Sequence, residues 1–221
     1  MKLKLLGLIL FIFSVLNLHS EDCNSLINNF DKPISLKSGW LFMKGDNPEW
    51  KTLELEDTTW AKKTMPDAGR DPNPDITETG FHWYRCRILL PESIKDSSSA
   101  IAIHLGKIRD SDEVYFNGNL IGSIGKFPPA PIADFEKERI YSISSKLFQP
   151  GLNILSVRIY TSTDFYGIDF IPVLGSEIEI NRQNSTKEIF NITFGFVFIA
   201  MGLFFILGSI IRSTKIGRAH V

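Results

Sequence analysis

From Ile189 to Ile211 the chain runs 23 residues without a charge, IFNITFGFVFIAMGLFFILGSII. About twenty residues in a helix, rising about 1.5 Å each, cross the hydrocarbon core of a bilayer. A buried helix of a soluble protein usually keeps a polar stripe, and this stretch has none. The sequence therefore predicts a transmembrane helix over 189–211. Asn191 and Thr193 stand near its start, within reach of the interface. Arg212 follows its end, so the positive-inside rule puts that end in the cytoplasm and the preceding residues outside.

The N-terminus points the same way. Lys2 and Lys4 precede an apolar run from Leu5 to Leu18, then Ser20 and the acidic Glu21-Asp22. That order matches a secretory signal peptide over 1–20. Ser20 suits the residue before the cut, Leu18 two places earlier is large, and an uncleaved anchor is the alternative. Lipid attachment at Cys23 is disfavoured by the two acids before it. All 25 acidic residues lie between Glu21 and Glu188, with 19 of the 24 Lys and Arg, so the middle carries six excess negative charges. Such a balance excludes a nucleic-acid footprint. The tail Ile216-Gly217-Arg218-Ala219-His220-Val221 reads as a translated sequencing adapter. Residues 212–221 are therefore expected to be a truncated cytoplasmic start with an artefactual end.

Residues 21–180 read as all-β, with a linker over 181–188. Tyr84, Cys86, Ile88 and Leu90 alternate with Trp83, Arg85, Arg87 and Leu89. Ile101, Ile103 and Leu105 alternate with Ala102 and His104. Leu155, Val157 and Ile159 alternate with Ser156, Arg158 and Tyr160. A period of two predicts strands with one face buried. Val114-Tyr115-Phe116 and Leu120-Ile121 flank Asn117-Gly118-Asn119, a hairpin signal because Asn-Gly accepts positive φ. Gln149-Pro150-Gly151 marks another reversal. Many short strands between turns predict a jelly-roll β-sandwich.

The order of segments carries a resemblance. Gly39-Trp40-Leu41-Phe42, Gly45-Asp46-Asn47-Pro48-Glu49-Trp50, Asp57-Thr58-Thr59-Trp60 and Gly80-Phe81-His82-Trp83-Tyr84-Arg85 come first. Leu105 to Gly118 with its Tyr-Phe-Asn-Gly, Gly151-Leu152-Asn153-Ile154-Leu155-Ser156-Val157-Arg158 and Gly167-Ile168 follow. Residues 36–175 thus resemble the galactose-binding-like jelly roll at the N-terminus of β-galactosidase and β-glucuronidase type glycosidases. They also resemble the extracytoplasmic sensor of bacterial multi-pass membrane signalling proteins. The resemblance implies a non-catalytic module, placed in the periplasm and tethered to the inner membrane.

Little in the sequence suggests catalysis. His82 and His104 stand far apart with no Cys or His cluster around them, so no metal or cofactor is expected. Asp110-Ser111-Asp112-Glu113 offers oxygen ligands without the loop spacing of a calcium site. Cys23 and Cys86 either pair in an oxidising compartment or leave Cys86 a free buried thiol. The ligand-binding candidates are Trp83, Arg85, Asp110, Asp112, Arg139, Tyr166 and Asp169, an aromatic and charged set near strand ends. Stacking plus charged hydrogen bonds suits a carbohydrate or a small carboxylated ligand. The competing reading is internal, with Arg85 or Arg158 paired to a neighbouring carboxylate. A ligand-sensing domain of a signal-transduction protein is the leading expectation, with membrane helices that offer a homodimer contact. The alternatives are a glycosidase's carbohydrate-binding module and a tethered binding protein without output.

Overall fold

The computed structural model describes residues 19–30, 32–70, 79–96 and 100–218. The expected signal peptide lies outside them except for His19 and Ser20, and so do the last three residues of the adapter-like tail. The described strands, in chain order, are β1 His19–Glu21, β2 Ile34–Leu36, β3 Trp40–Lys44, β4 Ala61–Lys63, β5 Asp67–Arg70, β6 Gly80–Leu90, β7 Ile101–Gly106, β8 Ser111–Phe116, β9 Asn119–Ile124, β10 Arg139–Ile143, β11 Gly151–Thr161, β12 Phe165–Ile168 and β13 Val173–Ser176. One α-helix follows, α1 Glu177–Arg218.

Two sheets enclose the core. One runs β4-β3-β6-β11-β8-β9 and the other β1-β2-β13-β7-β10, while β12 and β5 form a separate ribbon. Neighbours are antiparallel except β1 and β2. β6 and β11 form the longest ladder, in register from Gly151 opposite Leu90 to Thr161 opposite Gly80. The inward positions are those the alternation marked: Tyr84, Cys86, Ile88, Leu155, Val157, Ile159, Ile101, Ile103 and Leu105 are all buried.

The expectation of one buried face fails at the centre of the larger sheet. Trp83 and Arg85, on the outward positions of β6, are also fully buried. The chain from Gly45 to Trp60 folds across them. Within it Pro48–Lys51 forms a 3-10 turn, capped where Asn47 Oδ1 accepts the Glu49 N–H at 3.0 Å. Trp50 then meets Trp60 and Trp83 edge-on, with ring centroids 5.2 and 6.2 Å apart. Three large apolar rings exclude water from that face.

The β8–β9 hairpin forms at Asn117-Gly118, with φ of 47° and 77°. Asn117 does more than turn the chain. Its Oδ1 accepts the Ile154 N–H at 2.8 Å, and its Nδ2 donates to Asn153 Oδ1 at 2.8 Å and to the Leu147 carbonyl at 2.9 Å. The hairpin is thereby bonded to the start of β11.

Cys23 and Cys86 are joined as a disulfide, Cα atoms 5.2 Å apart. Cys86 thus both faces the core and is paired.

Packing divides the chain into one compact unit through Ile180 and another from Asn181. β13 passes into α1 without an intervening residue. Residues 181–188, expected as a linker, are turns of this helix. Between Glu177 and Gly208, α1 is long and apolar enough to cross a membrane, and its most apolar stretch has no buried residue.

Candidate functional site

The outward face of β6 carries a run of charged and aromatic side chains, and the loop over it supplies their counter-charge. Asp57 is fully buried. Arg85 Nε donates to its Oδ2 at 2.9 Å, and Arg87 Nη2 donates to its Oδ1. Arg85 Nη1 donates also to the carbonyls of Trp50 and Thr52. Burial pushes the Arg85 guanidinium below its ordinary range, and the hydrogen bond to Asp57 opposes that shift. One carboxylate therefore sits between two guanidinium groups, a charge-assisted arrangement.

Arg85 ends there, but Arg87 does not. Some 36% of the Arg87 side chain remains exposed. It lines a cleft of about 390 Å³ together with Asn24, Asp57, Thr58, Trp60 and Lys62. Cys23 and Gly39 close its wall. Gly39 has φ of +78°, and a Cβ there would stand 2.8 Å from the Cys23 carbonyl oxygen, so only glycine permits this approach.

The seven residues singled out in the sequence fall into separate groups. Trp83 and Arg85 lie beneath the Gly45–Trp60 segment. The Trp83 indole N–H donates to Asp46 Oδ1 at 3.3 Å, and its ring stacks on Tyr115 with centroids 6.0 Å apart. Asp110, Asp112 and Arg139 come together elsewhere, all buried. Arg139 Nε donates to Asp112 Oδ1 at 2.8 Å, and its Nη2 to the Asp110 carbonyl at 3.3 Å. Tyr141 donates its hydroxyl to Asp112 Oδ2 at 2.6 Å. Burial pushes the Asp112 carboxyl up, while Tyr141 and Arg139 hold it down. Asp110 Oδ2 accepts from the Ser162 N–H and hydroxyl at 2.8 and 2.6 Å.

Tyr166, on β12, is half-buried beside Phe42 and His82. Asp169 is exposed, and its Oδ1 accepts the Lys107 N–H at 3.1 Å. Arg158 forms the strand-neighbour pair anticipated for it, with Glu113 at 2.9 Å, and adds a bidentate pair with Asp46. The acids of 110–113 do not converge on a point. Asp110 and Asp112 meet Ser162, Arg139 and Tyr141, whereas Glu113 turns to Arg158 and Tyr115. Among the described residues no group of three or more His, Cys, Asp or Glu is placed to hold a metal ion.

The cleft residues Asp57, Trp60, Lys62 and Arg87 escaped the candidate set. Two signals pointed to three of them, and none to Lys62. Arg87 stands two residues beyond Arg85 on the same strand face, and Asp57 and Trp60 belong to one of the segments that carried the resemblance.

No protein-family model and no curated protein matches the sequence. Solved structures do share its fold. A β-glucuronidase of Bacteroides uniformis superposes on 65% of this chain and 17% of its own, with TM-score 0.54 and 20% identity. A glycosyl hydrolase family 2 member of Bacteroides cellulosilyticus gives 65% and 20%, with TM-score 0.52 and 18% identity. Another family 2 β-glucuronidase gives 68% and 18%, with TM-score 0.53 and 17% identity. The likeness is one of fold, in agreement with the glycosidase-type jelly roll that the resemblance implied. It spans about a fifth of those chains.

Proposed function

We propose that this chain is a membrane-tethered sensor whose β-sandwich stands outside the cytoplasm, binds a small ligand and reports its occupancy through α1. The observation that carries the reading is the direct passage of β13 into a 42-residue helix whose stretch from Ile189 to Ile211 holds no charge. Support for the orientation comes from Lys2 and Lys4 before the first apolar run and from Arg212 after the second. The Cys23–Cys86 bridge agrees with an oxidising compartment, where such bonds persist. Signalling requires that ligand affinity differ between two states of the protein.

A second reading, a carbohydrate-binding module without relay, draws on the fold shared with family 2 glycosidases. Occupancy separates the two. A relay changes the rate of disulfide cross-linking between copies carrying Gly202→Cys in α1 when ligand is added; a passive binder leaves it unchanged.

Topology is tested first. Trypsin added to spheroplasts of a bacterial host expressing the full chain should digest the sandwich. Protection in intact spheroplasts, with cleavage after lysis, would overturn the reading.

A further inference from the structure

We propose that the cleft beside Arg87 and Trp60 binds a carboxylated sugar, a uronate. The proposal deepens the ligand-binding reading above and rests on it.

Lys62 and Arg87 line the cleft with one carboxylate, Asp57, and Arg85 pairs with that carboxylate from beneath, so these groups carry two positive charges in excess. Both Asp57 oxygens already accept from guanidinium groups. Donor capacity is left over. Lys62 is exposed, and its ammonium has no partner among the described residues. Arg87, which lines the cleft, keeps a guanidinium that is partly exposed and has an Nε without an acceptor. A site with surplus donors and surplus positive charge calls for an anion with planar, bidentate acceptors, which is the geometry of a carboxylate.

The rest of the lining selects what carries that carboxylate. Trp60 lines the cleft, though only 7% of the residue is exposed, and the Arg85 guanidinium lies over its ring at 5.8 Å. Thr58 and Asn24 add a hydroxyl and an amide, each able to donate or accept. Adaptable polar groups beside a mostly covered indole fit the hydroxyls of a pyranose. The volume, about 390 Å³, lies within the range of about 300–1,000 Å³ usual for small-molecule sites. The wall is preformed, since Cys23 is held by its disulfide and the Asn24 N–H donates to the Arg87 carbonyl. Preformed walls reduce the ordering cost of binding.

The test is isothermal titration of the full chain in detergent micelles with D-glucuronate, D-galacturonate, D-glucose and sodium acetate. A uronate should bind saturably, and glucose and acetate at least about tenfold more weakly. Lys62→Gln, at an exposed position, should weaken uronate binding by about tenfold with the thermal midpoint unchanged; Arg87→Gln and Trp60→Phe should weaken it similarly but also lower the midpoint, since Arg87 pairs with buried Asp57 and Trp60 is packed in the core. The proposal is overturned if neither uronate binds, if glucose or acetate binds as tightly, or if Lys62→Gln and Arg87→Gln both leave the affinity intact. Failure here with successful digestion in spheroplasts removes the ligand class and leaves the topology standing.

Discussion

Replacing Asp57 with alanine removes the counter-charge of a guanidinium that has no access to water. Arg85 is fully buried, and its Nε partner is Asp57 Oδ2 at 2.9 Å. Breaking one side of a buried ion pair costs about 3–5 kcal/mol, because the other charge stays behind. The lower end applies, since Arg85 Nη1 keeps the Trp50 and Thr52 carbonyls and Arg87 can turn its exposed portion to solvent. A loss of about 3 kcal/mol corresponds to a fall of roughly 6–12 °C in the thermal midpoint for a domain of this size. Circular dichroism of the chain in micelles reads that fall in the β signal. The paired change Asp57→Leu with Arg85→Met should restore most of it, because apolar side chains of similar volume often replace a buried pair without loss. An Asp57→Ala midpoint within about 2 °C of wild type would refute the reasoning, and so would a double variant no more stable than the single.

Three further outcomes follow from the packing. Burial pushes the Tyr115 and Tyr141 phenols well above their ordinary 10.0, reinforced by Glu113 and Asp112. Their folded forms favour the proton, so this stability is fully present below about pH 10 and is lost as pH rises beyond it. Spectrophotometric titration of Tyr115→Phe and Tyr141→Phe beside wild type should show that these two phenols ionise only as the sandwich unfolds; their ionisation in the folded protein contradicts this. At Gly122 an added Cβ would stand 2.1 Å from Tyr141 Cδ1, so Gly122→Ala should lower stability by about 1–3 kcal/mol, and an unchanged midpoint would show that Tyr141 moves freely. Asn117→Ala loses the bonds to Ile154 and Asn153 and should cost about 2–3 kcal/mol. Asn117→Gly, which keeps the turn geometry, should lose nearly as much if those bonds matter more than the turn.

The sequence exposes whatever is local. The alternation in β6, β7 and β11 is visible because each strand repeats its inward residues every second position. The Asn117-Gly118 reversal and the charge-free helix are equally self-contained. Arg85 and Arg139 were harder to assign. Their counter-ions, Asp57 and Asp112, lie 28 and 27 residues away in sequence, and only the folded chain brings them near. Both arginines stand among the ligand candidates, with internal pairing as the competing reading for Arg85, and both are enclosed. β4 and β5 gave no periodic signal, since Ala61-Lys62-Lys63 and Asp67-Ala68-Gly69-Arg70 contain few apolar residues. The cleft was hidden for a related reason. Asn24, Asp57, Lys62 and Arg87 belong to different segments, and its wall needs the Cys23–Cys86 link that spacing alone left open.

That link also decides how the molecule bears load. Tension applied near residue 19 and resisted at α1 does not travel through residues 24–85, because the bridge joins two positions 63 apart in sequence. The pull enters the large sheet directly at Cys86, within β6, whose eleven residues are all matched along β11. Unravelling then demands that two long strands slide past each other as a block, while the cleft's loop wall over residues 57–62 hangs in the slack.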